Sequence, residues 1–222
     1  MLISHPNRFI YTKTMKTAGT SVEIYFEEAC LPPSNGIERE HLTDEIVTEA
    51  GIVGRRGPRR GVTWYNHMPA ELIRAQIGQS IWDDYFKFCV VRNPFDKLVS
   101  YWWFAIAPGE REYCQLQDFR EVRTRFCEWA TSGAAAVVDR NVYQIDGVVC
   151  ADFFIRYETL LDGIASVCLC VGYPYRPERL GRYKSGARAC AQPFQEYFDK
   201  PAIAAVQALF GWELDYFGYS LA

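Results

Sequence analysis

Apolar and polar positions along this chain fall into blocks whose period changes from segment to segment. Arg8-Phe9-Ile10-Tyr11-Thr12 is short, aromatic and β-branched, and a Lys/Thr/Gly stretch separates it from the apolar run Val22 to Cys30. That order predicts a strand, a loop and a helix. The helix should stop before Pro32-Pro33, because proline has no amide hydrogen to donate and its ring clashes with the preceding turn. Residues 34 to 61 are polar and punctuated by glycine, which reads as an excursion from the core with a short helix at Thr43 to Ala50. Val62 to Asn66 reads as a second strand ending at His67, and Pro69 opens a helix through Ile77.

Phe86 to Val91 is an apolar run between Asp83-Asp84 and Asn93-Pro94, as expected of a strand covered on both faces in a parallel sheet. Pro94 starts an aromatic-rich helix that ends near Pro108-Gly109. Further helices are predicted at Leu116 to Ala130, Leu160 to Val171 and Ala202 to Phe210, and a further strand at Phe153 to Tyr157. Strands alternating with helices predict an α/β fold with a central, mainly parallel sheet flanked by helices. Nothing marks an internal boundary, so residues 1–222 are expected to form one domain.

Composition narrows this picture without changing it. Hydrophobic residues make up 49% of the 222 residues and charged residues 23%, enough apolar material for a core of normal depth. A net charge of −3 argues against a protein that coats nucleic acid or an anionic membrane, so any anion site has to be local. The first residues lack an apolar run after a basic start, and no apolar stretch of about 18 residues occurs. The chain therefore reads as soluble and cytoplasmic, with no transmembrane segment. Its eight cysteines are irregularly spaced in a chain too large to need staples, and they are expected to be reduced. No C-x-x-C pair is present and the three histidines are scattered, so no metal is expected.

Two segments carry candidate chemistry. Lys16-Thr17-Ala18-Gly19-Thr20-Ser21 lies where a strand hands over to a helix, whose first amides are unpaired and whose dipole end is positive. Gly19 lets the backbone approach an oxyanion, Thr17, Thr20 and Ser21 offer hydroxyls, and Lys16 adds a compact positive charge. An ordinary helix cap at Thr20 or Ser21 fits the residue types equally well. The segment fails the Walker pattern, since its glycine follows the lysine and no earlier glycine precedes it, which disfavours a standard ATPase. The second segment, Val90 to Tyr101, sets Arg92 at the end of a buried strand and Ser100 two helical turns into the next helix. Both suit one phosphate, given the planar fork of arginine; alternatively, Arg92 pairs with Asp96 and Ser100 only packs.

Taken together, the two segments resemble the sulfotransferases that use 3′-phosphoadenosine 5′-phosphosulfate (PAPS), in the branch that includes the carbohydrate (heparan and uronyl) enzymes, as a bacterial-type soluble member. That family has a loop similar to P-K-T-x-G-T-[ST] for the 5′-phosphosulfate and R-[ND]-P-x-x-R-x-x-S for the 3′-phosphate. Here Met15 stands at the usual proline and Lys97 at the second arginine. Phe154-Ile155-Arg156-Tyr157-Glu158 and the ending Leu214 to Tyr219 resemble the family's late strand and tail.

The resemblance implies a P-loop-like three-layer fold and a metal-free sulfuryl transfer that releases adenosine 3′,5′-bisphosphate. It implies that Lys16 stabilises the leaving phosphate, that Thr17, Ala18, Gly19, Thr20 and Ser21 hold the 5′-phosphosulfate, and that Arg92 and Ser100 hold the 3′-phosphate. Arg182 and Lys184 lie where the family closes a basic loop over the nucleotide, in a degenerate pattern here.

His67 is the first candidate for the base that takes the acceptor's proton, with His41 and Glu38 in reserve; a packed, hydrogen-bonded histidine is the alternative. The acceptor is expected to be a carbohydrate or another hydroxyl or amine compound, and the oligomeric state is open. Four arginines within residues 55 to 60 suit an acidic acceptor or a solvated loop, and Trp102, Trp103 and Phe104 suit a sugar-stacking wall or core. Two rivals remain: a P-loop-like nucleotide kinase, and a non-catalytic module that senses adenosine 3′,5′-bisphosphate.

Overall fold

The computed structural model describes residues 1–32, 44–58, 61–135, 137–183 and 188–221. In chain order its elements are β1 (Leu2–Ser4), β2 (Phe9–Tyr11), α1 (Gly19–Phe26), β3 (Ile46–Thr48), β4 (Gly51–Val53), α2 (Ala70–Ile77), α3 (Gln79–Asp84), β5 (Phe86–Val91), α4 (Pro94–Ala105), α5 (Pro108–Leu116), α6 (Phe119–Thr131), α7 (Arg140–Tyr143), β6 (Gln144–Ile145), β7 (Val148–Val149), β8 (Phe153–Arg156), α8 (Leu160–Val171) and α9 (Lys200–Phe217). They form two compact units, Met1–Val91 with Asp139–Tyr183, and Arg92–Val138 with Lys184–Ala222.

The first unit holds a six-stranded sheet in the order β3-β4-β1-β2-β5-β8. The strands that pair in parallel are β2 with β5 and β5 with β8. β1 runs antiparallel to both β2 and β4, and β3 antiparallel to β4. The expected mainly parallel sheet is therefore corrected to a mixed one, antiparallel over more than half its pairings. Part of the cause lies in segment 46–53, which overlaps the helix expected at Thr43 to Ala50: β1 offers it unpaired backbone groups, and pairing there satisfies both. Gly51 is required by that pairing, since a Cβ on it would sit 2.1 Å from the Ile3 carbonyl oxygen. The expected strand at residues 62 to 66 is reduced to a single bridge between Tyr65 and Arg55.

Successive strand residues point to opposite faces, and the core divides accordingly. Leu2, Phe9, Tyr11, Phe88, Val90 and Ile155 pack with α1 and α8 on one face. Ile3, Ile10 and Ile52 pack on the other with Ala70 and Ile73 of α2 and Trp82 of α3. All eight residues of α1 are buried, so the loop that feeds it is anchored at the centre of the unit. Helix α8 lies so close to β8 that a Cβ on Gly163 would come within 2.6 Å of Ile155 Cγ2 and 3.2 Å of its Cα. Gly163→Ala should therefore lower stability by about 1 to 3 kcal/mol through overpacking, read as a shift in the urea midpoint at constant slope.

The second unit is helical. Pro94 begins α4 behind the Asn93 cap, whose side chain accepts from the Phe95 amide at 3.0 Å. Trp102, Trp103 and Phe126 are fully buried; Trp103 Nε1 donates to the Tyr197 hydroxyl at 3.1 Å, and Phe126 meets Phe198 edge to face. α4 ends at Ala105, near Pro108-Gly109 as expected, and Pro108 then opens α5, since proline suits a first helical turn. All eight cysteines are free thiols.

Candidate functional site

Seven residues join β2 to α1, and their backbone is shaped for an anion. Lys16 and Ala18 both hold φ at 60° with Thr17 between them, a conformation that L-residues adopt at a cost. Left-handed residues alternating with ordinary ones turn successive amides toward one concavity. Ala18 is the residue before the helix, and no side chain caps the first turn. The expectation of a cap at Thr20 or Ser21 is thereby corrected, because both lie inside the helix and leave its opening amides to another acceptor.

The hydroxyls divide by role. Thr20 Oγ1 accepts from Lys13 Nζ at 3.3 Å and Ser21 Oγ accepts from the Tyr183 amide at 3.3 Å, so each keeps its own proton to donate. Thr14 donates to the Val90 carbonyl, which leaves the Thr17 hydroxyl, 2.7 Å away, as donor to Thr14. Thr17 thus braces the loop with its side chain, and what it has for a ligand is its amide. The Met15 amide donates to the buried Asp139 carboxylate at 3.0 Å, a bond that the proline usual at this position could not make. Gly19 is needed for close approach: a Cβ there would stand 2.9 Å from Cγ and 3.1 Å from Cε of Lys13.

Lys13, which the sequence reading passed over, lies beneath the loop with its side chain 4% exposed. Its ammonium pairs with the buried Glu23 carboxylate and reaches the Asn66 side-chain oxygen at 3.2 Å. Burial would raise the Glu23 carboxyl, but the adjacent Lys13 ammonium and Met1 amino group outweigh it and bring the group down to about 2.

His67 sits across from this pair, with φ at 57°. Its Nδ1 lies 3.0 Å from the Lys13 carbonyl oxygen, which can only accept; Nδ1 therefore carries the proton and Nε2 is the basic nitrogen. Burial first, then the Lys13 charge and the Met1 amino group, lower its pKa to about 4. The imidazole is neutral at pH 7.

In the second unit, Arg92 places Nε at 2.8 Å and a terminal nitrogen at 2.7 Å from one oxygen of Asp96, the pairing weighed as an alternative above. Arg188 approaches the other Asp96 oxygen at 3.5 Å and lies over the Tyr197 ring. One carboxylate thus draws two guanidinium groups together. Arg188 is 96 positions from Arg92, and no local pattern flagged it. Ser100 is partly buried on α4, and Asn93, beside Arg92, donates to the Ser220 carbonyl at 2.7 Å. Lys97, at the family's second arginine, is buried with its ammonium over Phe210.

Of the remaining candidates, Arg182 is exposed beside Tyr183, whose amide ties that segment to Ser21. Lys184, Glu38, His41, Arg59 and Arg60 lie outside the described residues. Arg55 pairs with Asp44, and Arg56 is buried against Glu27, so this half of the basic tip is held by carboxylates. Trp102 and Trp103 belong to the core, and Phe104 is exposed. Among the described residues no group of three or more acidic, histidine or cysteine side chains could hold a metal, and no helix is long and apolar enough to cross a membrane.

A family model described as the sulfotransferase family matches residues 1–220. An uncharacterized protein of Archaeoglobus fulgidus is 29% identical over 107 residues, 48% of this chain and 84% of the relative. No solved structure matches the chain.

Proposed function

Because this chain belongs to the sulfotransferase family, we propose that it moves the sulfuryl group of PAPS to a hydroxyl or amine acceptor, with carbohydrates the favoured class. The observation that carries this reading is the start of α1: a buried helix whose first amides lack a side-chain cap, entered through a left-handed turn that bears Lys16. The match over both units supports reading residues 1–222 as one sulfotransferase domain with a P-loop-like core.

In this reading the acceptor oxygen or nitrogen attacks sulfur in line, and the bond from sulfur to the bridging oxygen breaks with its electron pair left on the 5′-phosphate. Lys16 and the amides of Ala18 to Ser21 stabilise that growing charge. His67 Nε2 takes the acceptor's proton. Arg92, Ser100 and Arg188 are assigned to the 3′-phosphate, and Arg182 to the nucleotide's flank. The residues do the work by positioning and charge, and no metal is assigned a role.

Calorimetry with adenosine 3′,5′-bisphosphate and with ATP tests the donor. Magnesium-independent binding of the bisphosphate, with ATP at least about tenfold weaker, is expected, a difference equivalent to about 1.4 kcal/mol. Preference for ATP with magnesium would return the kinase reading. A labelled-donor screen over glycans, amines and phenols then separates enzyme from sensor, because a sensor binds the bisphosphate without turnover.

A further inference from the structure

Lys16 is not the only lysine the loop relies on. Lys13 grips the segment Asn66-His67 at two points: its ammonium holds the Asn66 side-chain oxygen at 3.2 Å, and its carbonyl accepts from His67 Nδ1 at 3.0 Å. The same ammonium reaches Thr20 Oγ1 and pairs with Glu23, both on α1. Its stem fills the space that a Cβ on Gly19 would need. One buried residue therefore touches the first turn of the anion-binding helix and the imidazole together. His67 keeps a left-handed backbone that a histidine rarely adopts unless its surroundings enforce it.

We propose that Lys13 is a positioning residue for sulfuryl transfer, which sets His67 as the Nδ1–H tautomer with Nε2 toward the acceptor and locks that ring to the start of α1. This rests on the reading of the chain as a sulfotransferase with His67 as base. The charged groups that face the ring are the Lys13 ammonium, the Met1 amino group and the Glu23 carboxylate. The two cations disfavour imidazolium and the carboxylate favours it; cations and burial prevail, so the ring accepts a proton from the acceptor only as charge develops in the reaction.

Nitrogen-detected NMR of the ring in the wild-type protein reads the tautomer without any activity assay, and a His67→Asn variant assigns the signal among three histidines. An Nδ1–H tautomer titrating near pH 4 is expected; an Nε2–H tautomer, or a midpoint near the unperturbed value of about 6.5, overturns the proposal. Lys13→Met alone removes one of the two cations that pair with the buried Glu23 carboxylate, so the variant of choice is Lys13→Met with Glu23→Gln, its fold checked by circular dichroism. In it the His67 midpoint should rise, and kcat at saturating donor should fall about 10- to 100-fold while bisphosphate affinity stays within about threefold. Lys13→Arg should recover part of the rate. A folded double variant with midpoint and kcat both unchanged sinks the idea. If the wild-type protein turns over no acceptor, the sulfotransferase reading fails instead, and the NMR arm still decides whether Lys13 governs the ring.

Discussion

Lys16→Ala is expected to lower kcat by about 10²- to 10³-fold, the usual cost of losing one fixed donor to charge that develops in the reaction. The variant should fold, since Ala18 already shows an alanine in the backbone conformation that Lys16 adopts, φ 60°. Binding of adenosine 3′,5′-bisphosphate should weaken far less than the rate, because in the proposed mechanism the ammonium's largest interaction is with the bridging oxygen as its bond to sulfur breaks. The measurement is single-turnover transfer from labelled donor beside calorimetry of the bisphosphate. Equal losses in both would make Lys16 a plain binding residue, and no loss in either would remove the loop from the reaction.

The second large effect is expected at Arg92. Arg92→Ala should weaken adenosine 3′,5′-bisphosphate by about 10- to 100-fold, the range for hydrogen bonds to a charged group, and leave adenosine 5′-monophosphate almost unaffected. Arg188→Ala should act in the same direction with a smaller amplitude, as its approach to Asp96 is longer, at 3.5 Å against 2.7 Å for Arg92. The ratio of the two nucleotide affinities is the quantity to follow. If Arg92→Ala leaves that ratio unchanged, its pairing with Asp96 is structural and the 3′-phosphate belongs elsewhere.

What the sequence made legible was what repeats over several residues. The apolar run Phe86 to Val91 and the twelve-residue α8 are long enough for burial to leave a period, and both were readable within a residue. β1, β3 and β4 have three residues each, too few for alternation to show, and the pairing that brings the β3–β4 hairpin onto β1 joins segments distant in the chain. The two segments of candidate chemistry were legible because strand-to-helix turns need particular residues. Lys13 and Arg188 were hidden for different reasons. Arg188 has only a spatial relation to Asp96. Lys13 had a signal in Glu23, a carboxylate set between Val22 and Ile24 in the run after the loop, which asks for a buried cation within reach.

The bond from the Met15 amide to Asp139 bears on how such loops are compared between proteins. A motif written as consecutive letters treats position 15 as a tolerated deviation. In space that position and Asp139, 124 residues later, are one joint. Proline at 15 would discard the donor and remove one bond to the buried acid, so the two positions are expected to change together when this loop is moved into another scaffold.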